Sequence, residues 1–285
     1  MVEKANSLGF THYALSEHVP RSSSASLYPE EIESNIGPKE LLATFMNYLS
    51  EARKCSEYWE NKSGKRIQVL VGAETENIDG RNHNTLDFLD QVLRDDKGWK
   101  VEYLVGSVHH VQSVPIDFDK ETFNKALEQF MEPHCDTNEN ESYRTIAAHL
   151  KLMCGYLDAQ LSVMERFQPE IIGHFDLCRL FLPQTPMTLA GRHRVSDDQH
   201  TQTLLEAVDK RVRRNIDFAI EYGALFELNS ASVRKGWSTP YPGSDILEVS
   251  RFDPQNVIVS LFRHRLSPSG EEGCVSLTMP THMNR

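Results

Sequence analysis

The sequence lacks any hydrophobic run long enough to cross a membrane, and it lacks a signal-peptide pattern at its N-terminus. It also lacks a C-x-x-C pair. Its five cysteines are scattered and odd in number, at Cys55, Cys135, Cys154, Cys178 and Cys274. This pattern favours free thiols in a reducing compartment over disulfides or a thiolate zinc site. We therefore predict a cytoplasmic protein that has no membrane partner.

Positive charge is scarce, because 30 Lys and Arg residues stand against 41 Asp and Glu residues, for a formal net charge of −11. A protein that binds the phosphate backbone of a nucleic acid needs clustered basic residues, so we predict no nucleic-acid partner. A small phosphorylated substrate remains compatible with this charge, since a metal centre can supply local positive charge. The composition, 39% hydrophobic and 25% charged, is typical of a globular protein with an adequate core.

Polar side chains of the metal-binding types follow four short apolar runs. The four sets are Ser16-Glu17-His18, Glu74 with Glu76, His109-His110 with Asp117 and Asp119 beyond them, and His174 with Asp176. Apolar runs that alternate with helical patterns predict parallel βα units, and a single α/β barrel is ordinary at 285 residues. Several strands that each end in His or Glu predict a metal site at one rim of a barrel.

Strand periodicity separates the candidate ligands from their neighbours. His109 and His110 cannot both point inward, so we interpret one as a ligand and His110 as a packing or supporting residue. Glu76 is interpreted as a solvated charge, and Asp176 as a group that orients a histidine. Imidazole with carboxylate suits Zn, Mn or Fe and leaves the choice open. Six other histidines are predicted to be structural or exposed: His12, His83, His134, His149, His193 and His200.

Five motifs in order carry a resemblance to a known family. They are Ser16-Glu-His-Val-Pro-Arg21, Gly72-Ala-Glu74, Gly106-Ser-Val-His-His-Val111 with Pro115-Ile-Asp-Phe-Asp119, Gly173-His-Phe-Asp-Leu177, and Glu227-Leu-Asn-Ser-Ala231 with Arg234-Lys235. Together they resemble the histidinol-phosphate phosphatases of the PHP (polymerase and histidinol phosphatase) family, fungal type. The resemblance implies a distorted seven-stranded (β/α) barrel, TIM-like, with two or three divalent metal ions at the carboxyl ends of its strands. It also implies hydrolysis of L-histidinol phosphate to L-histidinol and phosphate in histidine biosynthesis.

The resemblance also implies roles for individual residues. The metal ligands would be His18, Glu74, His109 and His174, and Asp176 would complete the catalytic set. The substrate-binding residues would be Arg234, Asn229, His110 and Asp117, with Arg234 clamping the phosphate through bidentate hydrogen bonds. The alternative for Arg234 is a solvated charge beside Lys235. Water activated by the metals would attack phosphorus in line, without a nucleophilic side chain.

The chain departs from the family pattern at both ends. The family's opening His-x-His and closing Asp-x-His motifs are absent, and the segment after Leu261 is basic and rich in Ser, Pro and Gly. We expect one barrel domain over residues 1–261, truncated at its N-terminus and lacking the first strand, and a divergent, disordered tail over 262–285. Sequencing the transcript would test whether both ends are as written.

Two alternatives to the family reaction stay open. One is an inactive or partly active truncated PHP paralogue with a binding role, which the missing end motifs support. The other is a PHP phosphoesterase that acts on another small phosphate ester, on nucleotides or on nucleic-acid ends. The acidic charge and the Ile116-Asp-Phe-Asp119 segment favour a small amino-alcohol phosphate. The sequence does not constrain the oligomeric state.

Overall fold

Six parallel strands form the sheet that positions the candidate site. A computed structural model describes residues 1–62, 64, 67–78, 84–93, 101–132, 141–195, 198–234, 236–249, 257–260 and 277–278. The parallel strands are β1 (His12–Leu15), β2 (Gln68–Glu74), β3 (Tyr103–Gly106), β6 (Ile171–Ile172), β7 (Leu225–Asn229) and β8 (Val257–Ser260). They follow one another in the sheet in chain order. Their carboxyl ends therefore meet at one rim, where sites form in α/β folds.

Two further pairings complete the strand pattern. Strands β4 (His110–Val111) and β5 (Val114–Pro115) form a small antiparallel pair directly after β3. Strand β9 (Leu277–Thr278) lies antiparallel to β8 and also contacts β1, so the sheet curls until its last strand approaches its first. Strand β9 falls inside the segment predicted to be a disordered tail, and the rest of 262–285 lies outside the described residues.

The helices connect the strands as the sequence pattern predicts. They are α1 (Val2–Ser7), α2 (Pro29–Glu33), α3 (Pro38–Asn61), α4 (Asn84–Leu93), α5 (Lys120–Glu128), α6 (Glu141–Phe167), α7 (Gln199–Glu221), α8 (Ala231–Arg234) and α9 (Ser244–Val249). Asp198 caps α7, since its side chain accepts from the N–H groups of His200 and Thr201 at 2.8 and 3.1 Å. Short 3₁₀ helices cover Ser24–Ser26, Leu177–Arg179 and Leu189–Arg194. The predicted α/β barrel architecture is confirmed.

Two apolar clusters flank the sheet. The larger one packs α5, α6 and α7 against β6 and β7, and the smaller one packs α1, α3 and α4 against β1 and β2. Helix α6 contributes a buried stripe in which Leu150, Met153, Leu157 and Met164 recur at helical spacing. None of the helices in the described ranges combines the length and apolar content that a bilayer-crossing segment requires. The thiols of Cys55, Cys154 and Cys178 are free as predicted, and Cys135 and Cys274 lie outside the described residues.

A glycine sets the spacing between β3 and β6 next to the candidate site. A Cβ atom at Gly173 would collide with the hydroxyl of Ser107 and would lie 2.9 Å from Val105 Cγ1. The two strand ends can therefore approach closely only because residue 173 has no side chain. This close approach delivers His174 to the same place as the residues that follow β3.

His149 on α6 is a buried structural histidine. Its Nε2–H donates to the Cys178 carbonyl at 2.9 Å, and its Nδ1 accepts from the Thr185 hydroxyl at 3.0 Å. Burial lowers the pKa of His149 to about 4. Of the other histidines predicted to be structural or exposed, His12 is partly buried, His193 and His200 are exposed, and His83 and His134 lie outside the described residues.

We predict that His149 makes the fold less stable at acidic pH. The unfolded chain binds a proton at this group near pH 6.5, whereas the folded chain does so only near its depressed pKa of about 4. The free energy of unfolding is therefore unaffected by this group above pH 6.5 and falls as the pH drops below it. Between pH 7 and pH 5 the loss from this group is about 2 kcal/mol.

Urea unfolding of the wild type and of His149→Gln at pH 7, 6 and 5, with a chelator present, measures this effect. The wild type should have the higher free energy of unfolding at pH 7. The difference between the two proteins should become smaller toward pH 5, because the wild type loses stability through His149 and the glutamine does not titrate. His193→Gln, at an exposed position, should keep the wild-type pH dependence. A gap that stays constant from pH 7 to pH 5 would contradict the prediction.

Candidate metal centre

Glu74, the last residue of β2, places a buried carboxylate among three histidines. Its Oε1 lies 3.2 Å from His174 Nε2 and 3.4 Å from His109 Nε2, and its Oε2 lies 3.6 Å from His18 Nε2. The Nε2 atoms of His109 and His174 are 3.2 Å apart. Burial alone would raise the pKa of Glu74, but the charge of His18 and hydrogen bonds with His109 and His174 hold this pKa well below its usual range. The sequence correctly predicted that these four residues meet.

The strand ladder explains why these side chains converge. Past β1, the Val19 N–H donates to the Glu74 carbonyl at 3.0 Å, and the Glu74 N–H donates to the Glu17 carbonyl at 2.8 Å. This bridge fixes His18 beside Glu74. His109 and His174 stand just beyond the carboxyl ends of β3 and β6. Each candidate ligand therefore comes from a different strand end.

These donors suit a divalent cation. One ligand atom each from His18, Glu74 and His109 lies within 4.8 Å of the other two, so these residues could hold a metal ion. His174 is not in this group of three, but its Nε2 lies 3.2 Å from Glu74 Oε1 and 3.2 Å from His109 Nε2. Imidazole nitrogens with a carboxylate are the ligand set of Zn, Mn and Fe sites.

Glu76 is buried at 5% exposure, so its interpretation as a solvated charge was wrong. Its Oε2 accepts from His109 Nδ1 at 2.9 Å, and its Oε1 accepts from the His109 N–H at 3.0 Å. Burial alone would raise the pKa of Glu76, but the charges of His110 and His109 hold this pKa well below its usual range. With Nδ1 engaged in this way, His109 presents Nε2 to Glu74 and His174.

The loop after His18 is anchored over His110. Arg21 forms an ion pair with Glu31, and its guanidinium lies 4.7 Å from the centre of the Tyr28 ring. The Tyr28 ring in turn lies 5.7 Å from the ring of His110 and 5.7 Å from that of Phe118. His110 is buried and packs against the Tyr28 ring, as expected of a packing residue, and its predicted contact with substrate stays a prediction.

Glu227 and Asn229 on β7 support His174. Glu227 Oε2 accepts from the His174 N–H at 2.8 Å and from Asn229 Nδ2 at 3.1 Å. Asn229 Oδ1 accepts from the Ala231 N–H at 2.8 Å. Both polar ends of the Asn229 side chain are thus hydrogen-bonded within the protein, and its predicted role in substrate binding stays a prediction. The strand periodicity did place Glu227 and Asn229 on one face, as observed.

Asp176 pairs with an arginine, and no hydrogen bond joins it to a histidine among the described residues, so its catalytic role stays a prediction. Its Oδ2 contacts Arg179 and accepts from the Gly243 N–H at 2.9 Å. Arg179 Nη1 also donates to Asp245 at 2.9 and 3.0 Å. Sequence reasoning missed Arg179 and Asp245. The spacing of three residues between Asp176 and Arg179 was the available signal for the first, and the sequence offers none for Asp245, 66 residues further along.

Two predicted substrate-binding residues remain. Arg234 ends α8, and its side chain lies outside the described residues. Asp117, beyond β5, is partly buried, and its Oδ1 is buried without a hydrogen-bond partner in the described part of the chain.

Comparison with known proteins agrees with this geometry. Residues 1–231 match the PHP domain family. The chain belongs to the PHP family. It is 34% identical over 249 residues to a Schizosaccharomyces pombe protein named "Probable histidinol-phosphatase", a match that covers 87% of this chain and 69% of that protein. It is 26% identical over 259 residues to the Saccharomyces cerevisiae histidinol-phosphatase, covering 86% of this chain and 71% of the relative.

A solved structure supports the PHP fold. The Listeria monocytogenes protein, provisionally named a histidinol phosphatase, superposes with a TM-score of 0.58 at 20% identity, over 87% of this chain and 82% of that one. At this identity the likeness concerns the fold. PHP domains are metal-dependent, and the His and Glu cluster of this chain could hold such a metal.

We predict that Glu76→Gln weakens metal binding although Glu76 is not among the proposed ligands. The amide lacks the charge that supports His109, and loss of such a partner typically lowers metal affinity by about 10- to 100-fold. Competition with a chromophoric chelator for Zn²⁺ or Co²⁺ measures the affinity. Glu57→Gln, an exposed change on α3, is the matched control and should bind as the wild type does. Equal affinities for wild type and Glu76→Gln, both folded by circular dichroism, would refute the prediction.

Proposed function

We propose that this PHP-family chain is a metal-dependent phosphomonoesterase that hydrolyses L-histidinol phosphate to L-histidinol and phosphate. The observation that carries the proposal is Glu74, buried among histidines from three other strand ends. Relatives that share most of this chain's length carry the name histidinol-phosphatase, which supports the choice of substrate.

The proposed ligands are His18, Glu74, His109 and His174, and the proposed cofactor is two or three divalent ions of Zn, Mn or Fe. When bound, such ions activate water and neutralise charge on the phosphoryl group. The fit rests on the donor set and on its support. Glu76 holds the His109 ring from behind, and Glu227 holds the backbone of His174.

The remaining groups of the chain have proposed roles in binding the substrate. Arg234, at the end of α8, is the proposed clamp for the phosphate oxygens. The rings of Tyr28 and Phe118, close together beside the loop that carries Asp117, form the proposed wall for the organic part of the substrate. One carboxylate oxygen of Asp176 is engaged with Arg179, and the other is left for the substrate. Attack of water in line on phosphorus breaks the ester P–O bond, and the alcohol leaves with a proton.

The central prediction is that the purified chain, stripped of metal and reloaded with Zn²⁺, Mn²⁺ or Fe²⁺, releases phosphate from L-histidinol phosphate. His109→Ala and His174→Ala should lower the rate by more than about 100-fold, since loss of a supporting partner alone costs about 10- to 100-fold. His200→Ala, exposed on α7, is the matched control and should retain the wild-type rate. Phosphate release is measured with and without chelator.

The same assay separates the rival functions. Release of phosphate from nucleotides or nucleic-acid ends, without release from L-histidinol phosphate, would indicate another PHP phosphoesterase. A folded, metal-loaded chain that hydrolyses none of these esters would indicate a paralogue with a binding role. Either result would overturn the proposed reaction.

A further inference from the structure

The buried side-chain atoms that make no hydrogen bond within the described part of the chain include three oxygen atoms from the segments around the metal centre. They are Asp117 Oδ1, Asp176 Oδ1 and the hydroxyl oxygen of Tyr241. Asp176 is 0% exposed and Tyr241 is 1% exposed. Buried polar atoms are normally paired, so an unpaired set of this kind indicates a place for a ligand.

The fold brings these atoms to one region beside the metal centre. Asp176 stands two residues after His174, and its other carboxylate oxygen accepts from the N–H of Gly243, which is two residues beyond Tyr241. The Tyr241 ring lies 6.5 Å from the His174 ring, and its backbone pairs with Asn229 at 2.9 Å in both directions. Asp117 follows Ile116, whose N–H donates to the His109 carbonyl at 2.9 Å, so its loop lies beside the same metal centre. Burial, together with the charges of Asp176 and Asp117, raises the pKa of Tyr241.

The charge of this region is out of balance. Asp176 and Asp245 share one cation, the buried guanidinium of Arg179. Asp117 adds a third negative charge, and its electrostatic influence reaches both Tyr241 and His109. The imidazoles of the site face Glu74 and Glu76, so Arg179 is the cation that faces Asp176 and Asp245 among the described residues. A bound cation would give these buried carboxylates, with Asp117, a further partner in a region of low dielectric.

We propose that Asp117, Asp176 and Tyr241 form a subsite that binds the primary ammonium group of the substrate. An ammonium group has three N–H donors, and the subsite offers three oxygen acceptors, two of them on carboxylates. The inference rests on the proposed function and deepens it, because it names the group by which the site distinguishes an amino-alcohol phosphate from an uncharged phosphate ester. Phosphate binds at the metal centre, and the ammonium group binds on the Tyr241 side of His174.

The test compares two substrates that differ only in the ammonium group. They are L-histidinol phosphate and its des-amino analogue, the phosphate ester of 3-(imidazol-4-yl)propan-1-ol. In the metal-loaded wild type, kcat/KM should be at least about 10-fold higher for L-histidinol phosphate, since hydrogen bonds to charged groups typically contribute this much. Asp117→Asn should lower that ratio by about 10-fold or more. Asp217→Asn, the same change at an exposed position of α7, should leave the ratio unchanged.

Two results would overturn the subsite. The first is a ratio near one in the wild type. The second is an unchanged ratio in folded Asp117→Asn, and if its metal content is also lowered, the oxygens serve a metal ion instead. If the wild type hydrolyses neither ester, the proposed function fails, and calorimetry still tests the subsite. L-histidinol should bind the wild type more tightly than 3-(imidazol-4-yl)propan-1-ol does, and equal affinities would overturn the inference.

Discussion

Burying a carboxylate is unfavourable unless donors or cations surround it, and the site is built around the way Glu74 meets this requirement. Three imidazoles from three different strand ends approach its two oxygen atoms. Such an arrangement needs parallel strands, because only their carboxyl ends meet at one rim, and it needs Gly173, because a side chain there would separate β6 from β3. The sheet, the glycine and the three histidines thus all contribute to surrounding the buried carboxylate of Glu74.

A second set of buried carboxylates, which do not contact Glu74, supports the histidines of the site. Glu76 holds His109 through both its ring and its backbone, and Glu227 holds His174 through its backbone. Behind them, Arg179 joins Asp176 to Asp245 and so ties the segment after β6 to α9. Removing one member of such a buried group leaves an uncompensated charge, which typically costs about 3–5 kcal/mol. The geometry at Glu74 therefore depends on ion pairs that never touch it.

The parallel α/β fold and the meeting of Glu74 with three histidines could be predicted because each signal is local. An apolar run followed by Gly and His indicates a strand end, and strand ends share a rim. Glu76 could not be assigned in this way, because periodicity gives the face of a residue but not what covers that face. The role of Asp245 could not be predicted for a different reason. Its partner Arg179 is 66 residues away, and only the folded chain brings the two together. Asn229 shows a third limit, because sequence does not reveal that both ends of an amide are already bonded.

Glu74 and the three histidines around it differ in how far solvent reaches each side chain. The side chain of His18 is 40% exposed, whereas those of Glu74, His109 and His174 are 8%, 4% and 11% exposed. Of the four, His18 is the one that solvent reaches freely. A metal ion held by these residues would therefore exchange with solution from the side of His18, and it would lie furthest from solvent next to His109. An inhibitor designed for this site would be anchored at the inner imidazoles and elaborated outward past His18.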